Sequence, residues 1–138
     1  MVTMYETRKM AIPEIYPEHD AYWKSANEGR LIIKKCADCK EYHHYPRLLC
    51  PFCHSDRTFW VDVNGTGKIY TYSVMRKGTP YAIAFVELDE GPRIMTNIVD
   101  CDLDDIHINQ RVQLVFKQSG DKENRGAFVP CFSPIKEN

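Results

Sequence analysis

A chain of 138 residues has room for one ordinary domain or two very small ones, and 18 Lys and Arg against 19 Asp and Glu leave a net charge of −1. No global basic field is available to draw in nucleic acid. No apolar run is long enough to cross a bilayer and residues 1–15 have no signal-peptide core, so the expected location is the cytoplasm, with no membrane partner.

Residues 1–16 lack any sustained period and read as a loose arm leading to Pro17. A helix is predicted over 18–28, with Glu18 and Asp20 at the end where the helix dipole favours acids and Gly29 just past the stop. Tyr22, Trp23 and Ala26 form its apolar edge, which either packs on the protein itself or offers Tyr22 and Trp23 as anchors for a partner subunit.

Leu31-Ile32-Ile33 is a short β-rich run that leads into Cys36-Ala37-Asp38-Cys39, and ten residues later comes Cys50-Pro51-Phe52-Cys53. Two CxxC pairs at this separation supply four soft thiolates, and a Cys₄ set closes the tetrahedral shell of a structural Zn²⁺, leaving no position for substrate. Iron is the alternative metal. Two disulfides would require an oxidising compartment that nothing in the chain indicates. His43, His44 and His54 lie close enough in sequence to replace one cysteine. The second arm of the ribbon, 42–49, crowds Tyr42, His43, His44, Tyr45 and Arg47 onto a small module. Its face is either solvated or a contact surface for a protein or a phosphate-bearing ligand.

From Thr58 the pattern changes to short strands separated by turns: 58–63, 68–76, 81–88, 93–99, 110–117 and 127–132. Tyr70, Tyr72 and Val74 fall on one face of the second of these, and Val112, Leu114 and Phe116 on one face of the fifth. The run 81–88 is nearly all apolar, as a buried strand requires; 119–126 reads as a polar loop, and 100–108 as an acidic insert with one helical turn. Strands of this number and length with Gly-rich corners predict a small β-barrel, the five-stranded OB-fold being the natural candidate. The chain thus divides into an arm and helix (1–30), a zinc ribbon (31–57) and an OB-fold barrel (58–138), mainly β overall.

These features together resemble a family that joins a zinc ribbon to an OB-fold and is associated with acyl-CoA enzymes. The matching residues are both CxxC knuckles, Pro46-Arg47, the run Gly65-Thr66-Gly67-Lys68-Ile69-Tyr70, Pro80-Tyr81-Ala82-Ile83-Ala84, Val86 to Gly91, and Thr96-Asn97-Ile98-Val99. Lys40 departs from the glycine usual in that family after the second cysteine. The resemblance implies a rubredoxin-like ribbon and a non-catalytic accessory subunit. Its partner would be a thiolase-like or other acyl-CoA-processing enzyme, in a hetero-oligomer where the small subunit helps form the CoA and acyl entrance. It carries over the four zinc ligands Cys36, Cys39, Cys50 and Cys53, and no catalytic residue. Tyr22, Trp23, Tyr45, Arg47, Arg76 and Lys77 are the candidate contacts to partner or CoA, the three basic residues being equally suited to surface ion pairs.

Two other classes compete. Single-stranded nucleic acid is the common ligand of OB-folds, but from Thr58 onward nine Lys and Arg face eleven Asp and Glu, a net of −2. A free-standing enzyme could use Cys101 with His107, yet no third group orients them and Cys101 and Cys131 read better as small buried apolar residues. Asp100, Asp102, Asp104 and Asp105 lack the glycine and terminal glutamate of a calcium loop and read as a solvated turn.

Overall fold

The computed structural model describes residues 10–121 and 123–135, so most of the predicted arm lies outside the described residues. Met10, at its end, is buried beside Val99 and Cys131 and bridges Gly120. Pro17 opens a single 3-10 turn, Pro17–His19, and the helix proper, α1, is Asp20–Asn27. It is shorter than the predicted 18–28 because proline starts a turn whose N–H groups at His19 and Asp20 close in 3-10 fashion, His19 N–H on Tyr16 O at 2.9 Å and Asp20 N–H on Pro17 O. The stop falls where the glycine indicated. Gly29 adopts φ +82, a conformation that lets its N–H reach Ala26 O at 3.0 Å and that of Arg30 reach Ser25 O at 2.9 Å.

The ribbon sheet has three antiparallel strands in the order β2-β1-β3: β1 (Ile32–Cys36), β2 (Tyr42–His43) and β3 (Thr58–Asp62). Only two residues of the predicted second arm pair with β1; from His44 the chain leaves the sheet. β1 and β3 pair over five residues, from Ile32 opposite Asp62 to Cys36 opposite Thr58. The ladder therefore fixes the first zinc ligand at the strand's end.

Five further strands close a barrel in the order β4-β5-β6-β8-β7, the predicted OB-fold architecture. They are β4 (Thr66–Met75), β5 (Tyr81–Leu88), β6 (Arg93–Ile98), β7 (Arg111–Gly120) and β8 (Arg125–Pro134). The acidic insert holds one 3-10 turn, Leu103–Asp105, capped by the Asp102 carboxylate. The strands β7 and β8 extend into the predicted polar loop 119–126, because Ser119 is buried and its hydroxyl donates to Ala127 O at 2.6 Å. The alternation in β4 is also interrupted. A bulge skips Tyr70 between the pairs Ile69–Val86 and Thr71–Phe85, so Tyr72 and Val74 oppose the buried Ala84 and Ala82 whereas Tyr70 has no partner in the register; both tyrosines are exposed. The expected single face of Tyr70, Tyr72 and Val74 is broken there.

Barrel closure depends on close backbone approach. A Cβ on Gly67 would sit 2.4 Å from Glu87 O and 3.0 Å from Val86 Cγ1, across the β4–β5 ladder. Gly67→Ala is expected to lower stability by about 1–3 kcal/mol, the usual overpacking range, read as a reduced urea midpoint with the slope unchanged. The rim nearby is clasped by Arg111, which reaches Asp89 through Nη1 at 2.7 Å and Nη2 at 3.0 Å. With the Thr66 hydroxyl also donating, these hydrogen bonds hold the Asp89 carboxyl down at about 2.

One apolar core runs through all three parts. Tyr22, Trp23 and Ala26 of α1 and Ile33 of β1 join Ile69, Val86, Ile98, Val112 and Phe132 of the barrel. The Asn27 side chain accepts from Phe128 N–H at 2.9 Å and so pins α1 to β8. The helix edge therefore packs on its own protein, the first of the two roles its sequence allowed.

Candidate metal centre and adjoining cleft

Each CxxC turn is built the same way. Lys40 N–H donates to Cys36 O at 3.0 Å, and His54 N–H donates to Cys50 O at 2.9 Å. The two turns face each other, bringing Cys36 Sγ to 3.6 Å from Cys53 Sγ and Cys39 Sγ to 3.6 Å from Cys50 Sγ, with all four sulfurs within 4.8 Å of one another. A tetrahedron with Zn–S bonds of about 2.3 Å separates its sulfurs by about 3.8 Å, so the set fits a metal ion of this kind without rearrangement. Backbone N–H groups already favour the thiolate. The Cys36 thiol is held down at about 6, chiefly by the backbone N–H of Cys39, against the opposing effect of burial, and Cys50 is also lowered. Cys39 and Cys53, against the backbone N–H groups of Glu41 and Ser55, are raised by burial and the neighbouring sulfurs, so the set carries all four charges only when a cation is shared among them. Among the described residues the converging ligands are these four cysteines, and neither His43, His44 nor His54 joins them. Asp38 braces the centre by accepting from the Ser55 hydroxyl and from Arg57 Nη1 at 2.8 Å.

The residue after each second cysteine takes a left-handed conformation, Lys40 at φ +66 and His54 at φ +64. This explains why glycine is suited to position 40. Lys40→Gly is expected to stabilise the ribbon by up to about 1 kcal/mol, offset in part by the freer unfolded chain, and to raise the temperature of zinc loss slightly.

Three of the six predicted contact residues converge elsewhere. Tyr22, Trp23 and Tyr45 line a cleft of about 450 Å³ between α1, the segment after β2, and the outer side of the barrel. His44 sits with them, its ring centroid 5.6 Å from Tyr22 and 5.2 Å from Tyr45; the opposite wall is Phe85, Arg93, Ile94, Met95, Val129 and Pro130. Burial, reinforced by the charges of His43 and His19, pushes His44 down to about 4, so its ring is neutral at pH 7. Tyr22 and Trp23 are buried, whereas Tyr45 is exposed. The other three candidates are exposed and do not line this cleft. Arg76 forms an ion pair with Asp104 at 2.7 Å, and Arg47 contributes its carbonyl to the Thr58 hydroxyl at 3.5 Å.

The acidic insert has structural partners. Asp102 accepts from Asp104 N–H at 3.0 Å, and Asp100 pairs with Lys117 at 2.8 Å. Burial and the carboxylates Asp102, Asp100 and Asp105 push the Cys101 thiol up to about 11, the opposite of an activated nucleophile. Sequence reasoning missed two exposed apolar groups: Leu48, Leu49 and Phe52 beside the second knuckle, and Ile83, Phe85 and Met95 on the outer side of β5 and β6. Met95 is 67% exposed, and the register places it opposite Phe85, so the latter three form a patch rather than scattered residues. The apolar run 81–88 reads as a buried strand, but only its inward positions Ala82, Ala84, Val86 and Leu88 are buried; Ile83 and Phe85, on the outward face, are uncovered because no other element among the described residues packs over them.

Comparison with known proteins agrees with this architecture. Residues 23–58 match the family described as "ChsH2, rubredoxin-like zinc ribbon domain", and residues 60–117 match "ChsH2, C-terminal OB-fold domain". A "DUF35 domain-containing scaffold protein" of Methanocaldococcus jannaschii is 37% identical over 111 residues, 72% of this chain and 79% of that one. A "Probable enoyl-CoA hydratase alpha subunit" of Thermomonospora curvata is 34% identical over 125 residues, which are 86% of this chain; the chain spans 39% of that relative's length. The solved structure titled "Ltp2-ChsH2(DUF35) aldolase" superposes with a TM-score of 0.75 at 35% identity, covering 88% of this chain and 98% of the matched one. No helix among the described residues is long and apolar enough to cross a membrane. With a Cys₄ ribbon followed by a closed five-stranded barrel, and this similarity along most of its length, the chain belongs to the DUF35 family of zinc-ribbon and OB-fold proteins.

Proposed function

We propose that this protein is a non-catalytic accessory subunit that docks on a thiolase-like or other acyl-CoA-processing enzyme and helps form its CoA and acyl entrance. The observation that carries the reading is the match to the ChsH2(DUF35) chain of an aldolase assembly, which extends over 98% of that chain. Two features of the surface support it. The exposed patch of Ile83, Phe85 and Met95 and the exposed Leu48, Leu49 and Phe52 are apolar surfaces of the kind buried in subunit contacts. The Cys₄ centre holds one structural Zn²⁺ that keeps the ribbon rigid; Tyr45, Arg47 and Lys77 are the exposed candidate contacts to partner or CoA, Tyr22 and Trp23 can be reached only through the cleft they line, and Arg76 would have to exchange its ion pair with Asp104 for such a contact.

Single-stranded nucleic acid is less well supported, since Arg76, Arg111 and Lys117 of the barrel are each engaged with a carboxylate at 2.7–2.8 Å. Affinity purification of the tagged protein from its own host tests the choice. Near-stoichiometric recovery of an acyl-CoA enzyme is expected. Recovery of nucleic acid and its usual proteins without such an enzyme would overturn the reading. Met95→Glu, a change on an exposed side chain, should reduce co-purification by about ten-fold or more if the β5–β6 patch is the contact.

A further inference from the structure

The cleft beside α1 has the anatomy of a small-molecule site. Its volume of about 450 Å³ lies within the range of ligand pockets, and its walls are mainly aromatic and aliphatic with few polar groups. Those polar groups are not neutral decoration. The buried atoms Trp23 Nε1 and His44 Nδ1 have no hydrogen-bond partner among the described residues. An indole N–H can only donate, so what completes it must be an acceptor. Burial pushes the Tyr45 hydroxyl up, with the nearby Trp23 indole N–H acting in the opposite sense, and Trp23 Nε1 is still left without a hydrogen-bond partner among the described residues.

Among the described residues Arg93 is the one cation lining the cleft. Its guanidinium lies over Tyr70, Cζ 3.8 Å from the ring centroid, and its ion pair with Glu87 runs through Nε at 3.8 Å. A planar group with five N–H donors that is held over an aromatic ring and paired through Nε can offer its Nη edge to a second oxygen. The cleft thus combines an apolar channel with donors that lack acceptors and with a fixed cation on its wall.

We propose that this cleft binds an aliphatic chain ending in an oxygen acceptor, either a free carboxylate or an acyl carbonyl, with the chain against Phe85, Ile94, Met95 and Val129 and the oxygen toward Trp23, His44 and Arg93. Binding needs no partner subunit. A failed titration therefore leaves the co-purification result standing, and a failed co-purification leaves the cleft untouched.

The chain contains two tryptophans, Trp23 and Trp60. In a Trp60→Phe background Trp23 is the sole reporter, and its emission is titrated with octanoate, methyl octanoate and octylammonium, each also measured by calorimetry. Saturable one-to-one binding of octanoate or methyl octanoate is expected, with octylammonium weaker by about ten-fold or more, the factor equivalent to 1.4 kcal/mol. Octanoate binding more tightly than the ester, with a loss of about ten-fold in Arg93→Glu, assigns the carboxylate. Ester binding at least as tight, unchanged in Arg93→Glu, assigns the acyl carbonyl. Val129→Phe should weaken both by filling the channel. Arg93 is half exposed, so Arg93→Glu tests the site even if the Val129 variant does not fold. No saturable heat or emission change with either oxygen-bearing probe, or octylammonium binding as tightly as they do, overturns the proposal.

Discussion

Cys50→Ser is expected to abolish stoichiometric zinc binding and to unfold the ribbon. The reasoning starts from the size of the segment. β2 has two residues, β1 and β3 have five each, and the loop carrying the second knuckle contains exposed Leu48, Leu49, Pro51 and Phe52. So few buried apolar groups do not offset the entropy of ordering the segment, and structural zinc sites supply about 10–16 kcal/mol of apparent binding energy at pH 7. Removing one thiolate also strands three sulfurs within 4.8 Å of one another, with their mutual repulsion no longer neutralised.

The effect should be graded along the chain. Cys36 N–H bonds to Glu41 O at 3.0 Å and Ala37 N–H to Arg57 O at 2.8 Å, which tie the knuckle to both sides of the ribbon sheet. Amide exchange in β1–β3 should therefore become fast. The barrel ladder from β4 to β8 should keep most of its protection, because it closes on itself with its own core. Trp23 and Tyr22 report the boundary, since they belong to the core shared by helix, ribbon and barrel. The measurement is hydrogen exchange of Cys50→Ser against wild type, together with zinc content by a colorimetric chelator. Retained zinc at one per chain, or unchanged protection in β1, would defeat the expectation. Chelation of the wild-type protein should reproduce the same pattern.

Features encoded by local spacing were legible, and those assembled from distant segments were not. The four ligands could be found because each CxxC pair makes its own turn, and two such turns with ten residues between them have few other ways to be used. The barrel followed from alternation, as in Val112, Leu114 and Phe116, which all pack inward on the core. Alternation failed at Tyr70 because a bulge adds one residue without changing the composition. It failed again at Ser119, a polar residue that is buried because its hydroxyl is satisfied by Ala127 O. The cleft was beyond reach as a site. Tyr22, Trp23 and Tyr45 stood out as aromatics on a small module, but Arg93, Met95 and Val129 complete the cleft from strands far along the chain. His44 read as a substitute zinc ligand or as one member of a ribbon contact face, and nothing local to its sequence indicates that it faces the helix instead.

That placement of His44 makes stability depend on pH in a direction that can be worked out. An unfolded histidine titrates near 6.5, while burial holds His44 at about 4 in the folded protein. Between these values the unfolded chain binds the extra proton and the folded chain does not. Stability contributed by the neutral ring is complete above about pH 6.5 and is lost as the pH falls toward 4. For His44 the loss between pH 7 and pH 5 comes to about 2 kcal/mol, from 1.36 kcal/mol per unit applied to that part of the window. His43 shifts in the same direction, again first through burial, and adds to the loss. Protonation of the cysteine thiolates works the same way, so the urea midpoint of the wild type alone does not identify the cause. His44→Phe separates them: it keeps an aromatic ring against Tyr22 and Tyr45 and cannot take up a proton. Its stability should fall by about 2 kcal/mol less than that of wild type between pH 7 and pH 5, with zinc content equal in the two proteins at each pH. Parallel pH profiles for the two would mean that His44 titrates normally in the folded state and that the cleft is wetter than its geometry indicates.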